Sequence, residues 1–319
     1  MIERKFRAMG TDCHLLVHAA SDQGAELLVE LAQARVELLE DCWSRFRPES
    51  ELNRLNARAG LGPVVVSADL LNLVVAMRSA WLATDGLYDP TVLSSMRAIG
   101  YDADFATVLA REALAIAEVA AAPGMNNVVV DEINRTIELP RGVGIDPGAI
   151  GKGLAADIIV TEMIDAGAIG VLVNLGGDIV VSGIPVDFNG NPVDQWIIGV
   201  EDERAADGDD RVAHWLYFPA GTPRSAVATS TVLKRRWADG RHHVIDPRTG
   251  DISSGDLVQV TVAAESGAAA ESAATAALLL GSRAAAPWLN ERGLLALLMT
   301  SDGLIMTEIS PTLVEVPHG

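Results

Sequence analysis

Apolar and polar positions in the first fifty residues change from strand spacing to helical spacing. Residues 13–19 (CHLLVHA) have the pattern of a β-strand, and residues 21–46 then carry apolar side chains at helical intervals. The apolar residues expected on related faces of this helix are Leu27, Leu31, Leu38 and Trp43. Pro48 ends the helix, because proline lacks the backbone N–H that a helix interior requires.

The next hundred residues predict a second helix and then a segment of ambiguous character. Ser67 precedes a helical run to residue 81, and Asp89 followed by Pro90 is typical of an N-cap with proline at the first helical position. Residues 103–124 are rich in alanine and are closed by proline and glycine. This composition predicts either a surface helix or a tether between two subdomains.

The remaining pattern groups strands together, with helices between the groups. The predicted elements are, in chain order, a hairpin around 133–135, a helix over 150–166, strands over 170–174, 178–182, 196–201, 214–218 and 257–264, helices over 267–281 and 284–291, and two strand-like runs (LLALLMT and LIMTEI) around 301–303. No fixed-period repeat is visible. This grouping predicts an α+β fold rather than strict βαβ alternation.

Composition and charge narrow the classes of function. The 319 residues are 49% apolar and only 4% aromatic, so the core is built from aliphatic side chains. A formal net charge of −19 argues against non-specific binding of nucleic acid, because like charges repel the phosphate backbone. An anionic ligand would therefore need a local cation, backbone amides or a metal ion.

The two cysteines and the N-terminal residues bear on the compartment. Cys13 and Cys42 lie far apart and form no CxxC motif, so the sequence predicts neither a disulfide framework nor a zinc ribbon. The charged stretch 1–11 has no apolar signal region, and no apolar run reaches the length of a membrane span. We expect a cytoplasmic protein without membrane insertion.

Two glycine-containing segments are candidates for ligand binding. In 144–157 (GIDPGAIGKGLAAD), a glycine-rich loop enters a helix that offers Lys152 and free N-terminal amides, which favours either an anion site or a structural turn. In 173–183 (VNLGGDIVVSG), the double glycine allows close approach of a ligand. By itself, the second segment is better interpreted as a tight turn that contains Asp178.

Two further segments carry side chains suited to catalysis or metal binding. In 242–250 (HHVIDPRTG), adjacent histidines on a strand would face opposite ways, and histidine accepts protons near neutral pH. Glu271 and Thr275 lie four residues apart on a predicted helix and share a face. A carboxylate and a hydroxyl suit Mg²⁺, although a solvent-facing glutamate beside a helix threonine has the same pattern.

The order of these and other short motifs resembles the ApbE family of flavin transferases. The matching elements are Met9-Gly10-Thr11, Phe46 followed by PESELNRLN, Tyr88 to Val92, Asp146 to Gly153, Val173 to Asp178, Ala228-Thr229-Ser230, His243 to Gly250, and Ala270 to Ala276. The last element has Glu271 where the family usually has aspartate. The resemblance covers about residues 6–281.

The resemblance implies a fold, a ligand and a set of site residues. It implies one ApbE-like (T-fold-related) α+β domain over 1–319, with mixed sheets and packed helices, two lobes that meet near 103–125, and FAD in the cleft between them. The implied FAD contacts are Met9, Phe46, Leu87, Tyr88, Asp89, Asp146, Lys152 and Ile245. The implied ligands of Mg²⁺ are the Ala149 carbonyl, Glu271 and Thr275.

The implied reaction is Mg²⁺-dependent transfer of FMN from FAD to a Ser or Thr hydroxyl of an acceptor protein, with release of AMP. His243 is the predicted general base. Two alternatives use the same residues: an FAD pyrophosphatase, with water as the acceptor, and an FAD-binding protein without catalysis. The Glu271 departure would favour the second alternative if the longer side chain spoiled the octahedral geometry of Mg²⁺. The sequence does not identify the acceptor protein or the oligomeric state.

Overall fold

A computed structural model describes residues 1–112, 115, 117–187, 189–205, 211–238 and 240–307. The strands are β1 (Ile2–Ala8), β2 (Thr11–His18), β3 (Val64–Val65), β4 (Val129–Asp131), β5 (Thr136–Glu138), β6 (Gly170–Leu175), β7 (Asp178–Gly183), β8 (Gln195–Glu201), β9 (Val212–Pro219), β10 (Thr222–Thr231), β11 (Arg236–Trp237), β12 (Arg241–His242), β13 (Leu257–Ala264), β14 (Leu295–Thr300) and β15 (Leu304–Met306). The α-helices are α1 (Asp22–Trp43), α2 (Glu51–Ala57), α3 (Ala68–Ala83), α4 (Leu93–Ala98), α5 (Phe105–Ala110), α6 (Gly151–Asp165), α7 (Gly267–Leu280) and α8 (Ser282–Glu291), and a 3₁₀ turn covers Pro90–Val92.

An antiparallel sheet of eight strands organises the molecule. Its order is β1-β2-β6-β7-β10-β13-β14-β15, and smaller sheets are formed by β3-β5-β4, β8-β9 and β11-β12. Side chains alternate between the two faces of the large sheet. Leu15 and Val173 point to the face covered by α1, α6 and α7, whereas Leu172 and Val181 pack against the β8-β9 hairpin. Both faces of the sheet are therefore covered.

Local capping signals set several helix boundaries as the sequence predicts. The Ser21 side chain accepts a hydrogen bond from the Gly24 N–H, and Ser67 accepts one from the Leu70 N–H. Asp89 caps the 3₁₀ turn by accepting from the Thr91 N–H, with Pro90 at the first position. Such caps satisfy amides that have no partner inside the helix. The predicted starts of these elements are confirmed.

Other expectations need correction. The predicted face of α1 is wrong, because Leu27, Leu31 and Leu38 are exposed and only Trp43 of that set is buried. Strands β1 and β10 belong to the large sheet, although the pattern of apolar and polar residues does not predict them. In 103–124, the described residues form one short helix, α5, and residues 113, 114 and 116 lie outside the described part. The lobe boundary near 103–125 stays a prediction.

The run LIMTEI is a strand at Leu304–Met306, and its last two residues lie outside the described part. Over the described ranges, no helix combines the length and the apolar character needed to cross a membrane.

Candidate active site

One large cavity brings together the residues that the sequence singles out. It has a volume of about 990 Å³, and we call it the central cavity. The predicted residues that line it are Met9, Phe46, Leu87, Tyr88, Asp89, Asp146, Ala149, Lys152, His243, Ile245, Glu271 and Thr275. They come from distant parts of the chain, so the fold itself assembles the site.

Lys152 lies in the first turn of α6 between two buried carboxylates. Its ammonium contacts the Asp178 carboxylate and lies 3.0 Å from Glu271 Oε1, while the Gly153 N–H donates to Glu271 Oε2 at 2.8 Å. Glu271 is 5% exposed, so it is a cavity residue and not a solvent-facing one. The interpretation of Asp178 as a turn residue is incomplete, because its carboxylate is buried against Lys152.

The charges in this trio alter one another's protonation. Burial, together with the nearby charge of Glu271, raises the pKa of Asp178 to about 7. Burial would lower the pKa of Lys152, but the two carboxylates outweigh it and raise that pKa. One ammonium therefore faces two carboxyl groups, of which that of Asp178 is partly protonated near neutral pH.

Two glycines explain how Lys152 and Glu271 come close together. A Cβ on Gly153 would lie 2.3 Å from the Gly267 carbonyl oxygen, so α6 and α7 cross almost backbone to backbone. The buried Asp157 carboxylate strengthens the crossing by accepting from the Gly267 N–H at 2.8 Å and the Ala268 N–H at 3.0 Å. The glycine at 153 therefore serves helix packing, and it places Lys152 beside the carboxylate of Glu271.

The donor set implied for Mg²⁺ is chemically suitable. Glu271, Thr275 and Ala149 all line the central cavity, and they offer a carboxylate, a hydroxyl and a carbonyl. The Thr275 hydroxyl lies 2.7 Å from Ser230 Oγ, and Ala149 has a left-handed backbone with φ of 63°. Mg²⁺ commonly uses one or two protein carboxylates together with substrate phosphates. The described ranges contain no group of three or more His, Cys, Asp or Glu side chains that could hold a metal ion. The implied donor set is of a different kind, because Glu271 is its only carboxylate.

An arginine that the sequence analysis misses organises the aromatic wall of the cavity. Arg45 Nε lies 2.8 Å from Asp146 Oδ2, and both side chains are buried. Its guanidinium stacks 4.1 Å from the ring centroid of Phe46 and 4.4 Å from that of Tyr101, and Arg45 Nη1 donates to the Tyr101 carbonyl at 2.7 Å. Arg45 is the neighbour of the motif residue Phe46. That position is the one feature of the sequence that could have indicated a role for Arg45 in the site.

The two adjacent histidines have different surroundings. His243 lines the central cavity, whereas His242 is buried elsewhere and accepts a hydrogen bond at Nδ1 from the Val244 N–H at 3.3 Å. The expectation that only one histidine faces the cavity is confirmed. The stated reason is wrong, because β12 ends at His242 and residues 243–245 continue outside the strand.

Burial, followed by the positive charge of Arg235, lowers the pKa of His243 to about 3. The imidazole is therefore neutral at physiological pH.

Several buried polar atoms on the cavity wall lack a hydrogen-bond partner within the described ranges. They are Tyr88 Oη, His243 Nδ1 and Glu203 Oε2. Buried polar groups are normally satisfied, since leaving one unpaired costs about 1–3 kcal/mol. Unpaired groups on one cavity wall are typical of a site that binds a polar ligand.

Comparison with known sequences gives matches along nearly the whole chain. Residues 9–298 match the sequence model of the ApbE family. A protein of Klebsiella pneumoniae named FAD:protein FMN transferase is 27% identical over 304 residues, covering 93% of this chain and 83% of the relative. A protein of Treponema pallidum with the same name is 29% identical over 277 residues, covering 83% of this chain and 72% of the relative.

Solved structures show the same architecture. The crystal structure of the ApbE protein of Thermotoga maritima superposes with a TM-score of 0.81 at 25% identity, over 96% of this chain and 97% of that one. The flavin transferase ApbE from Vibrio cholerae superposes with a TM-score of 0.74 at 21% identity, over 97% of each chain. The predicted α+β, ApbE-like fold is confirmed.

Proposed function

This chain belongs to the ApbE family, and from that premise we propose that it transfers the FMN half of FAD to a hydroxyl of an acceptor protein and releases AMP. The observation that carries the proposal is the convergence of two facts. Relatives named FAD:protein FMN transferase match nearly the full length of the chain, and every residue predicted to contact FAD, to bind Mg²⁺ or to act as the base lines one cavity.

The cavity wall suggests how FAD would be held. Phe46 and Tyr101 flank the Arg45 guanidinium, and such a wall suits the flat ring of a dinucleotide. The predicted contacts at Met9, the 87–89 stretch and Ile245 supply the neighbouring surface. Tyr88 Oη, buried and unpaired, is available to a polar atom of the ligand. The position of FAD in a cleft between two lobes is part of this proposal.

The chemistry assigns separate tasks to the residues. The neutral imidazole of His243 would take the proton of the acceptor Ser or Thr hydroxyl, which is a weak nucleophile while it keeps that proton. A bound pyrophosphate would raise the low pKa of His243 by bringing negative charge near it. Ala149, Glu271 and Thr275 would hold Mg²⁺, which when bound neutralises phosphate charge.

The cellular setting of the reaction is also a proposal. Cys13 and Cys42 are free thiols, which fits a reducing compartment such as the cytoplasm.

The decisive experiment incubates the protein with FAD, Mg²⁺ and a candidate acceptor, and then detects flavin fluorescence on a denaturing gel and AMP by chromatography. A fluorescent acceptor band with an equal amount of AMP supports the transferase. AMP with free FMN and no band identifies a pyrophosphatase. FAD binding without AMP identifies a binding protein. The control is an acceptor protein whose target Ser or Thr has been replaced by alanine.

The metal assignment needs a readout besides turnover, because Glu271 also binds Lys152 and the Gly153 amide. We expect Glu271→Asp to keep Mg²⁺ binding, measured calorimetrically on the protein alone, and Glu271→Ala to abolish it. Thermal unfolding of both variants separates metal loss from misfolding. Full transfer in excess chelator would overturn the assignment.

A further inference from the structure

The cations that line the central cavity differ in whether a carboxylate neutralises them. Those with a carboxylate partner are Arg45 (Asp146), Arg47 (Glu40 and Asp41), Lys152 (Asp178 and Glu271) and Lys234 (Glu201 and Glu203). Arg235 also lines the cavity, and within the described ranges no carboxylate lies within salt-bridge distance of it. In a chain with a net charge of −19, a cavity arginine without a carboxylate partner favours an anionic ligand.

Arg235 is placed near the groups that the proposed chemistry uses. It lies between the end of β10 and the start of β11, and its side chain is half-buried. Its positive charge lowers the pKa of His243 and also acts on Lys152 and Asp178. A guanidinium that acts on all three lies close to the predicted base and to the paired Lys152.

We propose that Arg235 is a catalytic residue that binds the pyrophosphate of the dinucleotide and holds the transferred phosphoryl group beside His243. This inference rests on the proposed function. A guanidinium presents several donors in a planar fork that matches phosphate oxygens, and it keeps its charge at every physiological pH. The other cations of the cavity already form salt bridges with carboxylates of the protein.

The acceptor oxygen forms a bond to the phosphorus of the FMN half, and the hydroxyl proton passes to His243. The bond from that phosphorus to the bridging oxygen breaks, and its electron pair leaves on AMP. Negative charge develops on the non-bridging oxygens during the step, and a preorganised guanidinium stabilises it.

The test compares Arg235→Gln with Arg236→Gln. Arg236 is the adjacent residue, but it is exposed, does not line the cavity, and donates to the Gly240 carbonyl. We expect Arg235→Gln to weaken binding of FAD and of inorganic pyrophosphate by about 10- to 100-fold, and binding of riboflavin hardly at all, since riboflavin has no phosphate. Arg236→Gln should match the wild type with all three ligands. Arg235→Lys keeps the positive charge but loses the planar guanidinium. Its affinity for FAD and pyrophosphate should therefore lie between those of Arg235→Gln and the wild type.

A second readout does not depend on turnover. The pKa of His243, measured by NMR on the free protein, should rise in Arg235→Gln because a nearby positive charge is removed. Wild-type affinity for pyrophosphate and FAD in Arg235→Gln, or an equal loss in Arg236→Gln, would overturn the inference. A wild-type protein that binds pyrophosphate through Arg235 but releases no AMP from FAD would instead overturn the proposed function.

Discussion

Two cations that line the central cavity, Lys152 and Arg235, have opposite surroundings. Lys152 touches two buried carboxylates, which come from α7 and from the strand after the Gly176-Gly177 turn. Arg235 touches no carboxylate within the described part of the chain and stands near the unpaired Nδ1 of His243. The protein itself compensates the charge of Lys152, whereas Arg235 and His243 leave a charge and a nitrogen to be satisfied by a ligand.

This difference separates two roles that a sequence cannot distinguish. A cation held between buried carboxylates fixes the positions of the elements that carry them, because breaking the contact leaves a charge without a partner. A cation with no partner contributes little to the free energy of unfolding, and it is free to bind an anionic ligand. We therefore expect substitution of Lys152 to act mainly on stability, and substitution of Arg235 or His243 to act mainly on ligand binding and turnover.

The largest effect should come from His243. Replacing it with alanine removes the predicted base, and a positioned general base is worth about 10²- to 10⁴-fold in rate. His243→Ala should lower the rate of FMN transfer by that factor, with little change in the dissociation constant of FAD.

His242→Ala is the matched control for that variant, because its side chain is buried away from the cavity. An inactive His242→Ala, or a His243→Ala that loses FAD affinity in proportion to rate, would show that His243 is a structural or ligand-positioning residue.

The next largest effect concerns stability and the contacts of Lys152 with its two carboxylates. Lys152→Met leaves Asp178 and Glu271 buried together without a cation, which should lower the free energy of unfolding by about 3–5 kcal/mol. Urea unfolding measures this loss. Lys5→Met, which breaks an exposed pair with Glu3, should change the same free energy by less than about 1 kcal/mol. Equal effects of the two substitutions would show that Lys152 lacks the stabilising role that distinguishes it from Arg235.

A smaller effect should follow from widening the crossing of α6 and α7. Gly153→Ala places a methyl group against the Gly267 carbonyl, and such overpacking costs about 1–3 kcal/mol. Gly151→Ala, in the same helix, meets only the Pro147 side chain at 3.3 Å and should cost much less. A Gly153→Ala protein of wild-type stability and activity would mean that the helices separate without consequence for Lys152.

The effect that is smallest at neutral pH is a contribution of His243 to stability, because it develops only as the solution becomes acidic. Its pKa is about 3 in the folded protein, where Arg235, His242 and Lys152 are the charged groups acting on it, and about 6.5 when unfolded. The unfolded state therefore binds the extra proton between these values, and stability falls as the pH drops from about 6.5 towards 3. The slope from this group is at most about 1.4 kcal/mol per pH unit. His243→Gln should remove that part of the slope, which urea titrations at several pH values measure.

Local chemistry made much of the fold predictable. Ser21, Ser67 and Asp89 act on amides two or three residues away, so their capping roles are visible in the sequence. The buried face of α1 was not visible, because Ala25 and Ala32 take core positions while larger leucines point outwards. Strand β1 was hidden by its alternating charged residues, which suit the edge strand of a sheet.

The site was predictable only where motifs mark it. His243, Lys152 and Glu271 stand in short patterns of fixed order, and the fold gathers them in one cavity. Arg235 carries no such signal, since it is one residue of a Lys-Arg-Arg run. Arg235 differs from the other cavity cations because no carboxylate lies near it within the described ranges. Which carboxylates lie near a residue depends on elements that are far away in the chain. The pairing of Arg45 with Asp146 is hidden for the same reason.

The strand order of the large sheet also governs how the chain folds. The β1-β2 hairpin is local, but β2 pairs with β6 in a register that sets Cys13 opposite Leu175. A ribosome adds about 5–20 residues per second, so β2 waits roughly ten seconds or more for its partner. During that time α1 has only the β1-β2 hairpin of the large sheet to pack against. Contacts between residues that are far apart in the sequence slow folding. The incomplete nascent chain is therefore the species most prone to aggregation.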